Sequence, residues 1–301
     1  MRILLIGANG QVGYCLHRSL VGLGEIIPTT RSGRLPGGAP CEVADLDRPE
    51  TLATLVERVA PDLIVNAAAY TAVDKAESDR DAAFRANAES VGALAAACAA
   101  RGARLVHYST DYVFPGDAQR PWREEDPTGP LGVYGASKLA GEEAVRASGC
   151  RHMIFRTAWV YGPRGGNFLR TMLRVGAQRD ELRVVADQVG SPTPAPWIAQ
   201  ATALCLAKTA TDARSGTWNM VAGGEASWHG FAAAIFETAV EAGLLEAAPR
   251  VAPIVTADYP TPARRPAYSR LDTQRLHDDF GIRMPDWRLG LRQVIEDLLP
   301  P

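Results

Sequence analysis

Short apolar runs alternate with amphipathic stretches along the first half of the chain. Ile3-Leu4-Leu5-Ile6, Glu25-Ile26-Ile27, Leu63-Ile64-Val65-Asn66, Leu105-Val106-His107-Tyr108 and His152-Met153-Ile154-Phe155 read as strands. Between and after them, helical spacing runs from Val12 to Leu23, up to Val59, from Ser78 to Ala100 and from Tyr134 to Ala147. Asp47 is the expected N-cap of the second helix, with Pro49 in its first turn. Continuous apolar strands alternating with helices predict an α/β fold: a doubly wound parallel sheet with helices on both faces.

The second half is less regular. Helices are expected near Phe168–Gln178, Trp197–Lys208 and Trp228–Ala242, with a terminal helix carrying Leu291, Val294, Ile295 and Leu298 on one side. Leu182–Val185 and Trp218–Val221 look like strands. Pro and Gly cluster at 113–132, 190–196 and 253–266, which marks loops. A boundary near residue 160 is expected. It separates residues 1–160 from a smaller, mainly helical part at 161–301, and the chain is free to return to the first part within 193–230.

Composition narrows the function classes. The chain has 301 residues, is 47% hydrophobic and carries a net charge of −2. That balance argues against a nucleic-acid or membrane-surface role. Cys15, Cys41, Cys98, Cys150 and Cys205 are odd in number and form no Cys-x-x-Cys pair. A reduced, cytoplasmic protein with buried thiols is expected. The five histidines show no metal-ligand spacing. The first apolar run is too short for a signal peptide, and no run approaches the roughly 20 residues needed to span a bilayer.

Gly7-Ala-Asn-Gly10-Gln-Val-Gly13 follows the first strand and opens the first helix. Glycines there allow a tight turn and let a pyrophosphate approach backbone amides at the helix N-terminus. Gly7, Asn9, Gly10, Gln11 and Val12 are therefore candidate dinucleotide-binding residues. The plain alternative is an ordinary glycine-rich turn, but the strand-turn-helix context favours a cofactor. The second strand ends in Thr29-Thr30-Arg31-Ser32 rather than in an acid. A guanidinium and a hydroxyl suit a 2′-phosphate, so NADPH is expected, with some use of NADH. The alternative for Arg31 is a solvated basic loop. Asp45 and Leu46 are placed beside the adenine. Ala67, Ala68 and Ala69 leave room for a cofactor across the sheet edge.

Tyr134 and Lys138 stand at i and i+4 on one helix face. A cation about 4 Å from a phenol contributes on the order of 4 kcal/mol at an effective dielectric of 20. That is enough to lower the phenol's pKa from about 10 by up to roughly three. The pair is then a candidate for acid/base work. Taken alone it is also an ordinary Tyr/Lys helix face.

Several stretches together resemble a known family. Gly7-x-x-Gly10-x-x-Gly13, Asn66-Ala-Ala-Ala, Ser109-Thr-Asp-Tyr-Val-Phe and Tyr134-x-x-x-Lys138 resemble the extended short-chain dehydrogenase/reductases. Ala72-Val-Asp-Lys-Ala-Glu77, Phe155-Arg-Thr-Ala-Trp-Val-Tyr161, Asp187-Gln-Val-Gly-Ser-Pro-Thr193 and Pro260-Thr-Pro-Ala-Arg-Arg-Pro266 narrow this to the dTDP-4-dehydrorhamnose reductase family. The resemblance implies NAD(P)H-dependent reduction of the 4-keto group of dTDP-4-dehydro-L-rhamnose. It makes Thr110, Tyr134 and Lys138 catalytic. It also places Asp111, Trp159, Asn167 and Arg265 on the dTDP-sugar. Asp111 reads equally as a structural cap, and Asn167 as the cap of the next helix. Arg156 and Tyr161 are expected to leave their strand toward the cleft with Trp159.

Tyr112 stands where dehydratases of similar fold place an acid, which favours simple keto reduction. Some members of the family resemble homodimers joined through magnesium by a glutamate in the first helix. This chain has Cys15 at that point, so no metal ligand is carried over. Relatives often have asparagine where this chain has Tyr268. Two other readings share the fold. One is a nucleotide-sugar epimerase. The other is a non-catalytic subunit resembling the regulatory partner of methionine adenosyltransferase.

Overall fold

The computed structural model describes residues 1–209, 212 and 214–299. Six strands come from the first half: β1 (Arg2–Ile6), β2 (Glu25–Thr30), β3 (Glu42–Val43), β4 (Leu63–Asn66), β5 (Arg104–Thr110) and β6 (Arg151–Thr157). The second half adds β7 (Val160–Tyr161), β8 (Glu181–Val185), β9 (Val189–Gly190), β10 (Thr193–Pro194), β11 (Gly216–Asn219), β12 (Ala226–Ser227) and β13 (Arg250–Ile254). Seven of them form one parallel sheet in the order β11-β6-β5-β4-β1-β2-β3. The order reverses between β1 and β4, the switch point where such sheets open a crevice.

The helices are α1 (Gln11–Ser19), α2 (Leu52–Val59), α3 (Val73–Ala76), α4 (Arg80–Phe84), α5 (Ser90–Arg101) and α6 (Val133–Ala147), then α7 (Phe168–Gly176), α8 (Ala195–Lys208), α9 (Trp228–Glu241), α10 (Gln274–Phe280) and α11 (Trp287–Glu296). Side chains alternate across each strand, so continuous apolar strands feed two cores. Ile3, Leu5, Leu63, Val65, Val106, Met153 and Phe155 pack with Leu16 of α1 and Ile198 and Cys205 of α8. Leu4, Ile6, Ile64, Leu105 and Ile154 pack with Leu55 of α2, Leu94 of α5 and Val145 of α6. The sheet is thus covered on both faces, as the pattern predicted. A third core joins α7, α9 and α11 through Leu169, Phe231, Ile235, Leu291 and Val294.

Several expectations need correction. The stretch 78–100 is not one helix. A π turn at Arg85–Glu89 separates α4 from α5. There the Asn87 carboxamide bonds Tyr70 N, Tyr70 O and Ser137 Oγ at 2.9–3.0 Å. Asp47 caps no helix. The chain makes a 3-10 turn at Pro49–Thr51 before α2, and Asp47 lies 3.6 Å from Arg31 instead. Residues 190–196 are not a plain loop, since they hold β10 and the start of α8. Strands β3 and β13 and helix α10 had no expected counterpart.

Candidate functional site

The C-terminal ends of β1, β4, β5 and β6 open on a cleft of about 950 Å³. Its floor is the glycine turn. Gly7 has φ +82°, and a Cβ there would meet Ala68 at 2.9 Å. A Cβ on Gly13 would lie 2.0 Å from Gly7 O. Helix α1 then begins with no side-chain cap on Gly10. Its first N–H groups face an opening lined by Asn9, Gly10, Gln11 and Val12, which fits an anionic ligand. Ala67, Ala68 and Ala69 line the β4 side, and Arg31, Asp45 and Leu46 the far end. The Arg31 side chain is 76% exposed and meets Asp47 only loosely, at 3.6 Å.

Thr110 ends β5, and Tyr134 and Lys138 rise from the first turns of α6; all three line the cleft. The Thr110 hydroxyl donates to Asp111 Oδ1 at 2.9 Å and accepts from Tyr112 N at 3.2 Å. Lys138 is buried, and its Nζ donates to Tyr108 O at 2.7 Å. His107 Nε2 lies 3.2 Å from the same Nζ.

Burial controls the titration of this group. It pushes Tyr134 up to about 12, with the Thr110 hydroxyl pulling the other way and Asp111 adding to the rise. This corrects the expectation that Lys138 would lower the phenol. The Lys138 ammonium is itself brought down to about 8 by burial, against the pull of Glu142. Tyr134 therefore holds its proton at neutral pH. Asp111 is raised to about 6, again by burial, with the Ser269 and Thr110 hydroxyls pulling the other way.

Trp159 also lines the cleft, held at φ +47° and stacked on Trp228 with ring centroids 3.5 Å apart. Trp228 was read from the sequence only as a helix start; nothing in its spacing marked it for the cleft.

Four residues lie elsewhere. Asn167 caps α7 through Arg170 N at 3.0 Å and donates to Gln11 Oε1 at 2.9 Å. It is not among the cleft-lining residues. Arg265 is also set back, ion-paired to Asp74 at 2.7 Å. Arg156 turns away from the cleft into a buried pair with Glu142. Tyr161 is buried in the third core. The last two correct the expectation that they would reach the cleft; a charged or aromatic residue at a strand end gives no sign of which face it takes.

A smaller cavity of about 230 Å³ borders α1 at Cys15, Arg18, Arg164 and Asp297. Burial pushes the Cys15 thiol up to about 11. A protonated thiol beside two guanidiniums does not fit magnesium, which takes oxygen ligands. Among the described residues no cluster of three His, Cys, Asp or Glu side chains is placed to hold a metal ion. No helix among them is long and apolar enough to cross a membrane.

Known proteins resemble this chain over nearly its whole length. The model of the RmlD substrate binding domain family matches residues 1–299. The chain is 51% identical over 306 residues to dTDP-4-dehydrorhamnose reductase of Burkholderia thailandensis, covering 99% of each chain. It is 45% identical over 300 residues to the protein of that name from Escherichia coli K12, covering 99% of this chain and 98% of the relative. Among solved structures, a dTDP-4-dehydrorhamnose reductase from Clostridium acetobutylicum superposes with a TM-score of 0.89 at 36% identity, covering 99% of both chains. One from Bacillus anthracis, in complex with NADP, gives 0.86 at 34% identity, covering 98% of this chain and 99% of that one.

Proposed function

The chain belongs to the dTDP-4-dehydrorhamnose reductase family, and we propose that it reduces the 4-keto group of dTDP-4-dehydro-L-rhamnose to dTDP-L-rhamnose. This is the last step of dTDP-rhamnose biosynthesis. NADPH is the preferred reductant and NADH an alternative. The observation that carries the reading is the meeting of Thr110, Tyr134 and Lys138 in the same cleft as the uncapped start of α1.

The amides of α1 and the bare turn at Gly7, Asn9, Gly10, Gln11 and Val12 receive the pyrophosphate. Arg31 takes the 2′-phosphate, and Asp45 and Leu46 flank the adenine. Ala67, Ala68 and Ala69 leave the sheet edge clear. When bound, the dinucleotide supplies the hydride.

Tyr134 rests in its protonated form and gives its proton to the C4 oxygen. The Thr110 hydroxyl donates its one proton to Asp111 Oδ1 in the free protein; turned from there to the C4 oxygen, it is the second donor. Lys138 holds the nicotinamide ribose, with its amine anchored on Tyr108 O. Asp111 orients a sugar hydroxyl, and the stacked Trp159 and Trp228 form a flat apolar wall for the sugar nucleotide. Asn167 and Arg265 act one layer back, through Gln11 and Asp74. We place the cofactor unit at 1–160 with a return to it within 193–230, and the sugar-nucleotide unit in the rest of 161–301. Free thiols support a reducing, cytoplasmic setting.

The test is NADPH oxidation followed spectroscopically with dTDP-4-dehydro-L-rhamnose and with a UDP- or GDP-linked keto sugar. Stoichiometric oxidation with the dTDP sugar supports the reading. Retained oxidised cofactor without net consumption points to an epimerase.

A further inference from the structure

His107 is a fully buried imidazole to which the chemistry above gives no role. It stands on β5 in register with Asn66 on β4. Asn66 Oδ1 accepts the Ala68 N–H at 3.2 Å, which turns Nδ2 toward His107 Nδ1 at 3.3 Å. An amide NH2 can only donate, so Nδ1 must accept. Burial, and then the Lys138 charge, hold the His107 pKa well below its ordinary value, so the ring is neutral. A neutral imidazole carries one proton, and here it sits on Nε2. Nε2 faces Lys138 Nζ at 3.2 Å. An ammonium has three donors and no acceptor, so Nε2–H opposes the charged form. The neutral amine offers a lone pair that accepts it. Tyr108 O takes a proton from either form of the amine.

We propose that Asn66 and His107 are positioning residues that act through Lys138: by fixing the Nε2–H tautomer they ease loss of the ammonium proton, and so set the pH above which the reaction slows. The inference rests on the reductase reading. Ala68 lines the cleft, so the carboxamide that fixes the tautomer is itself anchored to the cleft wall. Other titratable groups surround Lys138. Glu142, on its own helix, favours the ammonium and is engaged by Arg156 from β6 and by Arg146 on α6. Tyr134 is also on α6, with Asp111 beside it in the turn after β5. The π turn presents Asn87, bonded to Ser137, and both are neutral. Among the described residues, His107 is the titratable side chain within hydrogen-bonding distance of Nζ.

Two substitutions separate the tautomer from simple packing. In His107→Gln the side chain can turn its oxygen to the ammonium. In Asn66→Ser a hydroxyl can accept from Nδ1–H, which frees Nε2 to accept from Nζ. The Lys138 titration is read by NMR in the free protein with 13C-labelled lysine, and the pH profile of kcat is read with NADPH and the keto sugar. Both variants should raise the Lys138 midpoint by about one pH unit, tenfold in its protonation constant. The alkaline limb of kcat should move by the same amount while KM for the sugar stays. A folded variant with an unmoved Lys138 midpoint overturns the proposal, and either variant suffices for that test. The NMR midpoint needs no substrate. A shifted midpoint in a protein that never turns over the keto sugar would sink the reductase reading and leave the tautomer effect standing.

Discussion

Arg156 and Glu142 form a two-pronged ion pair between β6 and α6: Nε lies 2.9 Å from Oε1, and Nη2 lies 2.7 Å from Oε2. The side chains are 3% and 0% exposed. The pair ties the helix that carries Tyr134 and Lys138 to the sheet. Burial alone would raise the Glu142 pKa, but the Arg156 guanidinium and its hydrogen bond win and hold it below the ordinary value.

Removing one partner leaves a buried charge alone, at a cost of about 3–5 kcal/mol. Glu142→Gln should therefore lower the urea midpoint sharply at pH 7. Arg156→Lys should do so too, because an ammonium cannot reproduce the fork. The folded pKa is depressed, so this stabilisation is present above the ordinary carboxyl value and lost as pH falls through the folded one. The gap between parent and Glu142→Gln should narrow in acid. Equal urea midpoints at pH 7 would contradict the account.

The glycine turn gives a test with its own control. A methyl at Gly13 would sit 2.0 Å from Gly7 O, so Gly13→Ala must displace the turn. Calorimetric titration should show NADPH binding weakened by about tenfold or more, equivalent to roughly 1.4 kcal/mol. At Gly22 an added Cβ meets nothing within 4 Å. Gly22→Ala should leave binding unchanged and stability within about 0.5 kcal/mol. Unaltered binding in Gly13→Ala would remove the cofactor from this turn.

Arg31 tests the choice of cofactor. A charge-assisted bond to a phosphate contributes about 1.5–3 kcal/mol. Arg31→Ala should therefore raise KM for NADPH by roughly 10- to 100-fold and leave KM for NADH alone. A parallel rise for both cofactors would mean that Arg31 does not read the 2′-phosphate.

Asp111 couples stability to pH in the opposite sense from Glu142. Its folded pKa is raised from 3.8 to about 6, so the folded state binds more protons across that window. Stability falls as pH rises through it, by about 3 kcal/mol for a fully buried carboxyl. Asp111→Asn lacks this term. Its stability relative to the parent should improve by about that amount between pH 4 and pH 7 in urea titrations. A difference that is the same at both pH values would show that the buried carboxyl does not titrate in this range.

The sequence spoke most clearly where one residue type had one physical reason to be there. The apolar strands Ile3–Ile6 and Leu63–Asn66 lie in β1 and β4, because a fully buried parallel strand leaves an unbroken hydrophobic run. Gly7 and Gly13 were legible for the same reason, since backbone crowding excludes any other residue. The helix expected over 78–100 was misjudged in length because a π turn leaves no mark on apolar periodicity; Asn87, inside that turn, bonds the Tyr70 backbone. The titration of Tyr134 was misjudged because one helix turn shows the Tyr/Lys spacing and not the burial of both groups. Trp228 and His107 escaped notice because their partners, Trp159 and Lys138, are distant in sequence.

The most direct test is Tyr134→Phe assayed with NADPH and dTDP-4-dehydro-L-rhamnose, with NADPH binding measured in parallel. Loss of the general acid should cut kcat by roughly 10²- to 10⁴-fold while binding stays at the parent level. A variant that still reduces the keto sugar at the parent rate would contradict the account.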